Sequence, residues 1–234
     1  MKKKLLLFAI LLSASITGTA QNFAWGAKYG GTGSDIVTAT FVDNAGNVYS
    51  TGYFIETCDF DPTAGNYSLT SETNFEIYVS KVSSAGNLIW AKSFGGPADD
   101  YGTAISVDSD GNVFVTGEFQ DIADFNPGTN ETLITSNGYL DVFVMKLDSN
   151  GELVWAKGFG GTDFEQTSGI ETDENGDIYL AGFFYAEADF NPGAEQYTMT
   201  PVGSGDIFAM KLDATGNFYG PSKSAATDWT SPRQ

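Results

Sequence analysis

Apolar residues in this chain recur in short alternating runs and never at helical spacing. Thr103 to Val107 is short and apolar-rich, Asp108-Ser109-Asp110-Gly111-Asn112 is polar, and Val113 to Phe119 is rich in β-branched and aromatic residues. The pattern predicts two strands joined by a tight turn in which Gly111 supplies positive φ. A third strand is expected over Asp141 to Leu147, a second turn over Asp148-Ser149-Asn150-Gly151, and a fourth strand over Glu152 to Phe159. On the third strand Phe143, Met145 and Leu147 face one way, and Val142, Val144 and Lys146 the other. Both faces are largely apolar, so that strand needs cover on both sides and belongs to a sheet held between two others.

The same pattern returns at a fixed interval. Trp25, Trp90 and Trp155 are each 65 residues apart, as are Asp43, Asp108 and Asp173, and Phe60, Phe125 and Phe190. Pro62, Pro127 and Pro192 keep the register, and so do Lys81, Lys146 and Lys211. Several independent phrases sharing one period indicate a repeat architecture. Four antiparallel strands per unit, stacked face to face, describe the blade of a β-propeller. The predicted fold is therefore all-β: a propeller-like arc of three four-stranded blades, with repeats at about 25–89, 90–154 and 155–219. The phrases "DGNVFVTGEF", "ADFNPG", "DVFVMKLDSNGELVWAK" and "FGG" resemble the SBBP-type β-propeller repeats of secreted and surface bacterial proteins, over residues 22 to about 219. That resemblance implies an exported propeller and carries no reaction with it.

Residues 220–234 break the period. A Trp is due at position 220, where Gly220 stands. Read one base out of phase from the end of the Tyr219 codon, the tail permits "WAKQVGG", one open position, then "GLD", which reproduces the "WAKSFGG" signature. A single-base insertion or deletion before position 220 is the favoured explanation, and a natural tail capping the third blade the alternative. Propellers close with four to eight blades, so the intact protein is expected to hold further blades.

Charge and leader set the compartment. Lys2 to Lys4, the apolar run Leu5 to Leu12 and the small residues ending at Ala20 form a secretory signal peptide over residues 1–20. The run is too short to span a bilayer. Cleavage removes three lysines and no acid, taking the formal net charge from −19 to −22. Such a charge disfavours nucleic acid as a partner. The chain has no His and one Cys, which excludes Ser-His-Asp and Cys-His catalysis and an internal disulfide.

Two turns resemble calcium loops: Asp108, Asp110 and Asn112, and Asp173, Asn175 and Asp177. An EF-hand wants Gly sixth and Glu twelfth. Here Gly111 is fourth and Phe119 twelfth, so the hairpin-turn reading is favoured over a weak calcium site. The phrases "DFDP" at Asp59 and "DFNP" at Asp124 and Asp189 have turn chemistry, and the variable segments after them are where a binding surface is expected. The lysines fall into two repeat classes, Lys28, Lys92 and Lys157, and Lys81, Lys146 and Lys211, and are expected to bury their stems between blades and meet repeat carboxylates. Cys58, in register with Ala123 and Ala188, is expected to be buried packing. The functional expectation is a secreted or cell-surface, non-catalytic module that binds protein or glycan, with no membrane span and no cofactor beyond the calcium candidates. The alternatives are a lyase or glycosidase using carboxylates, which would need a pair of acids in one unit only, and a non-functional truncated product.

Overall fold

A computed structural model describes residues 24–71, 73–126 and 130–220. The expected leader over residues 1–20, Pro127 of the second "DFNP" phrase, and the tail beyond Gly220 lie outside the described residues. The described chain contains no helix. A short β1 (Gly30–Gly31) precedes β2 (Asp35–Val42) and β3 (Val48–Phe54), then a side hairpin of β4 (Thr57–Asp59) and β5 (Ser68–Thr70), then β6 (Glu76–Val82) and β7 (Leu88–Phe94). Strands β2, β3, β6 and β7 form an antiparallel sheet in that order. The order repeats in β8 (Tyr101–Val107), β9 (Val113–Phe119), side hairpin β10 (Ile122–Asp124) and β11 (Leu133–Thr135), β12 (Asp141–Leu147) and β13 (Leu153–Gly161). It begins again in β14 (Glu165–Thr172), β15 (Ile178–Phe184), β16 (Ala188–Asp189), β17 (Thr198–Met199) and β18 (Asp206–Leu212). Here the blade has three strands among the described residues, and Phe218, bridged to Leu212, starts a fourth.

All four strands expected in the second unit are present. The short side hairpin between the second and third strands of each blade was not expected; at two or three residues per strand it leaves no readable alternation. The hairpins join the blades. Each one reaches back to the Gly-Gly end of the preceding outer strand: Gly30 and Gly31 pair with Asp59 and Cys58, Gly95 with Asp124, and Gly160 and Gly161 with Asp189 and Ala188. At the second glycine the backbones meet so closely that a Cβ on Gly31, Gly96 or Gly161 would overlap the carbonyl oxygen of Thr57, Ile122 or Glu187. This contact explains the recurrence of "FGG".

Blade stacking explains the two-sided apolar strands. Strand β9 is buried at every position and β12 at all but Lys146. In the third blade the equivalent β15 and β18 alternate buried with exposed residues, because no blade among the described residues covers their outer face. Two apolar clusters fill the seams, one between the first and second blades around Ile105, Val107 and Val79, the other between the second and third around Val142, Val144 and Ile170.

The repeat residues occupy equivalent places. Phe60, Phe125 and Phe190 are at most 1% exposed. They sit 5.5, 5.6 and 5.0 Å from Phe54, Phe119 and Phe184, and 4.9, 5.0 and 4.9 Å from Tyr78, Phe143 and Phe208. The tryptophans clamp adjacent blades. The Trp25 indole lies on Gly86 and donates to the Ser84 carbonyl at 2.9 Å, and Trp90 lies on Gly151 and donates to Ser149 at 3.2 Å. Trp155 lies on Gly216 in the same way, with its indole N–H unpaired. Trp90 and Trp155 lie on the outer strands β7 and β13 and touch the turn of the next blade, and Trp25, ahead of β1, touches the turn of the first blade, so the sequence repeat begins one strand earlier than the structural blade.

Replacing Gly96 with Ala is expected to cost about 2 kcal/mol or more, since the Ile122 carbonyl is backbone and cannot step aside. Gly169 faces open space, and Gly169→Ala is expected to be neutral or stabilising by about 0.5 kcal/mol. Urea unfolding midpoints of the two variants against the parent check both.

Candidate functional site

The two ends of the arc differ in chemistry. At one end lie the turns joining the first and second strands, which hold the calcium candidates. The Asp108 carboxylate accepts from the amides of Asp110 and Asn112 at 3.0 and 2.9 Å and from the Asn112 side chain at 2.7 Å. Asp173 accepts from the amides of Asn175 and Asp177 at 2.9 and 3.0 Å and from the Tyr179 hydroxyl at 3.1 Å. Burial pushes the Asp173 carboxyl up, and these donors outweigh it and hold the group below its usual value. Asp177 is ion-paired to Lys211 at 2.6 Å. The acids therefore hold the turns together, with Gly111 and Gly176 at φ 82° and 79° closing them.

The lysine expectation is met in part: Lys211 pairs with Asp177, and Lys92 with Glu152 at 2.9 Å. Lys81, Lys146 and Lys211 hold their ammonium groups 4.9, 5.0 and 5.0 Å above the rings of Tyr49, Phe114 and Tyr179. Each ring is the direct cross-strand partner of its lysine, so the strand register itself places the cation on the π-face. Cys58 is 1% exposed, as expected of a packing residue, and burial, with Asp35 and Asp59 adding, pushes its thiol up to about 12.

At the opposite end, the side hairpins and the "DFNP" loops sit outside a central hollow. The repeated Asp secures each loop: Asp59 accepts from the amides of Asp61 and Tyr67, Asp124 from Asn126 and Thr132, and Asp189 from Asn191 and Tyr197, at 2.8 to 3.0 Å. Inside this ring the three blades converge on a hollow of about 350 Å³. It is lined by Thr38 and Tyr53 of the first blade, Tyr101, Thr103 and Glu118 of the second, and Gln166, Thr167 and Phe183 of the third. Tyr53 and Tyr101 meet edge to face at 4.9 Å.

This lining breaks the repeat. Glu118 stands where the other units have Tyr53 and Phe183, and Tyr101 where they have Ile36 and Gln166. Glu118 is 5% exposed and accepts from the Thr167 amide at 2.8 Å, the Thr167 hydroxyl at 3.2 Å and the Thr103 hydroxyl at 2.9 Å. Burial raises its pKa against the pull of those donors. Sequence reading passed over Glu118 because it sits in the repeated phrase "VFVTGEF"; an alignment of the three units at that column alone would have found it. Among the described residues Glu118 is the one carboxylate lining this hollow, and both its oxygens are engaged.

A second set of acids lies in the blade seams. Asp35, Asp100 and Glu165 are in register, and each accepts from the second glycine of the preceding "GG": Gly31, Gly96 and Gly161 at 2.8, 2.7 and 2.8 Å. Beside them stand Glu76, near Asp100, and Asp141, near Glu165. Burial pushes both Asp100 and Glu165 up to about 7, with their acidic neighbours adding and the glycine amides pulling back. Among the described residues no group of three or more His, Cys, Asp or Glu side chains is placed to hold a metal.

Comparison with known proteins follows this geometry. The family described as SBBP, beta-propeller repeat, matches residues 89–118. The matched stretch runs from β7 through β8 to β9, across the seam between the first two blades. The chain carries β-propeller repeats. It is also 25% identical over 170 residues to an uncharacterized WD repeat-containing protein of Acanthamoeba polyphaga mimivirus, an alignment covering 62% of this chain and 12% of the relative. The chain thus spans only a small part of the length of the curated relative it matches.

The seam acids set a pH dependence. A carboxyl whose pKa is raised by folding binds its proton more tightly in the folded state, so the stability it contributes is present below its unfolded value and lost as pH rises through the folded one. For Asp100 that window runs from 3.8 to about 7, and for Glu165 from 4.5 to about 7. The melting temperature is expected to fall between pH 5 and pH 8, and the combined Asp100→Asn, Glu165→Gln variant to show a flatter profile, read by thermal melts across that range.

Proposed function

We propose that this chain is an exported, non-catalytic binding module, secreted or held at a bacterial cell surface, that takes a protein or glycan ligand at the hairpin end of its blades. The observation that carries the reading is where the repeats stop being alike. The buried frame is the same in all three units, whereas the lining of the central hollow changes from blade to blade, as do the loops after the "DFNP" phrases. A rigid frame with variable residues gathered at one end is how a scaffold presents a binding surface. The hollow offers aromatic faces at Tyr53, Tyr101 and Phe183 beside hydroxyl, amide and carboxylate groups, a mixture suited to sugar rings or to polar peptide side chains. The engaged state of Glu118 supports a structural or recognition role over acid–base chemistry. Export rests on residues 1–20, and the acidic charge suits a soluble extracellular module.

Two measurements test this. Expressed with its leader in a bacterial host, the protein is expected outside the cytoplasm with Gln21 as its first residue, read by N-terminal sequencing; an intact Met1 in the cytoplasm would sink the export claim. Titration of the folded protein with a panel of polysaccharides and bacterial surface proteins should find a binder that Tyr101→Ala weakens about tenfold or more, measured below the melting temperature of the variant. Binding unaffected by changes in the hollow and in the loops following Asp59, Asp124 and Asp189 would reject this end as the binding surface.

A further inference from the structure

The seam between the second and third blades brings two carboxyls to one buried spot. Leu140 and Phe164 bridge in parallel, and the Glu165 amide donates to the Leu140 carbonyl at 2.9 Å. Asp141 and Glu165, each the first residue of its strand, follow directly. They are 1% and 0% exposed. Gly160 lies against both: a Cβ there would stand 2.5 Å from Asp141 Cγ, 2.8 Å from Asp141 Oδ1 and 2.6 Å from Glu165 Oε2. The missing side chain of this glycine lets the two acids converge.

One oxygen of each carboxyl is anchored. Asp141 Oδ2 accepts from the Asn137 amide at 3.0 Å and from the Asn137 side chain at 3.2 Å, and Glu165 Oε2 accepts from the Gly161 amide at 2.8 Å. The other oxygen of each, Asp141 Oδ1 and Glu165 Oε1, is buried and has no hydrogen-bond partner. No cationic side chain answers them: among the described residues the ion pairs are Lys92 with Glu152 and Lys211 with Asp177. The acids that bear on Glu165, Asp141 and Asp163, add only negative charge. Buried carboxylates in that state are costly unless they are paired or coordinate a metal.

The repeat keeps these acids as a couple. Asp141 is in register with Glu76, and Glu165 with Asp100, and Glu76 bears on Asp100 across its own seam. Each of the two seams has one Asp and one Glu, in opposite order, so a longer side chain on one blade is matched by a shorter one on the next. In the first seam both Asp100 oxygens are taken, by the amides of Gly96 and Gln120 at 2.7 and 3.1 Å. The second seam leaves one oxygen of each acid over.

We propose that Asp141 and Glu165 bind a calcium ion between the second and third blades, through Asp141 Oδ1 and Glu165 Oε1. Oxygen ligands in a chain with no His and one Cys suit a hard cation over a transition metal. A divalent ion neutralises both charges at once, which one shared proton does not. Calcium takes about six to eight ligands, so main-chain carbonyls and water complete the shell. This site is separate from the turns of Asp108 and Asp173, and its ion ties one blade to the next.

Thermal melts of the chelator-treated chain at pH 8 test this. Calcium at about 2 mM is expected to raise the melting temperature by about 4 °C, as a site with a dissociation constant of about 0.1 mM would. Sodium chloride of equal ionic strength should shift it by about 1 °C or less. Asp141→Asn and Glu165→Gln, which keep side-chain shape, should each reduce the calcium shift to about 1 °C or less and weaken calcium binding about tenfold or more in titration calorimetry. Should one of these variants not fold, the other carries the comparison. Asp108→Asn and Asp173→Asn should leave both readings unchanged. No calcium shift would overturn the proposal and leave a shared proton to neutralise the couple. An equal shift with sodium, or one that survives Asp141→Asn and Glu165→Gln, would overturn it too, as would loss of the shift in the turn variants, which would move the ion to the turns.

Discussion

Each blade is a sheet with two apolar faces and no means of hiding either by itself. Everything else in the structure answers that constraint. Stacking removes one face of each sheet from water for every neighbour gained, and the burial of β9 and β12 on both sides shows the constraint fully met once. The seams then need lateral fixing, because flat apolar faces can slide. The tryptophan clamps, the pairing of side hairpins with the preceding glycines, and the carboxylates that accept from those glycines supply it with directional contacts. In this sense the polar features of the repeat serve the apolar ones.

Much of the architecture was legible in the chain because it is local. Strands near seven residues long carry clear alternation, and turns of the form Asp-x-x-Gly announce themselves by the residue types that positive φ and side-chain capping require. The two-faced apolar character of Val142 to Leu147 pointed to stacking without any coordinates. The side hairpins were hidden because two or three residues carry no period. The ring contacts of the lysines were hidden because those partners are set by register across the sheet: Tyr49, Phe114 and Tyr179 are about thirty residues away in sequence and become neighbours only once β3, β9 and β15 pair with β6, β12 and β18.

The candidate site was less legible than the fold for a related reason. A repeat draws the eye to what recurs, and the hollow at the centre is built from what does not. Glu118 has the environment of a residue placed with care, buried and satisfied by donors from two different blades, yet it occupies a column where its counterparts are aromatic. Asp108 and Asp173 are the reverse case. Their spacing resembles a calcium loop while their turn chemistry favours a hairpin, and the structure shows their oxygens accepting from the amides of their own turns.

The offset between sequence repeat and blade has a consequence for how such chains can grow. A segment that starts at a tryptophan carries the outer strand of one blade together with the three inner strands of the next, so each copied length closes the sheet before it and opens the one after. Duplicating it inserts a joint whose two sides have already been matched, and excising it brings together two surfaces that fit. A gene that lengthens in steps of this phase never has to invent a new contact, which gives recombination a route to rings of different size from a single ancestral module.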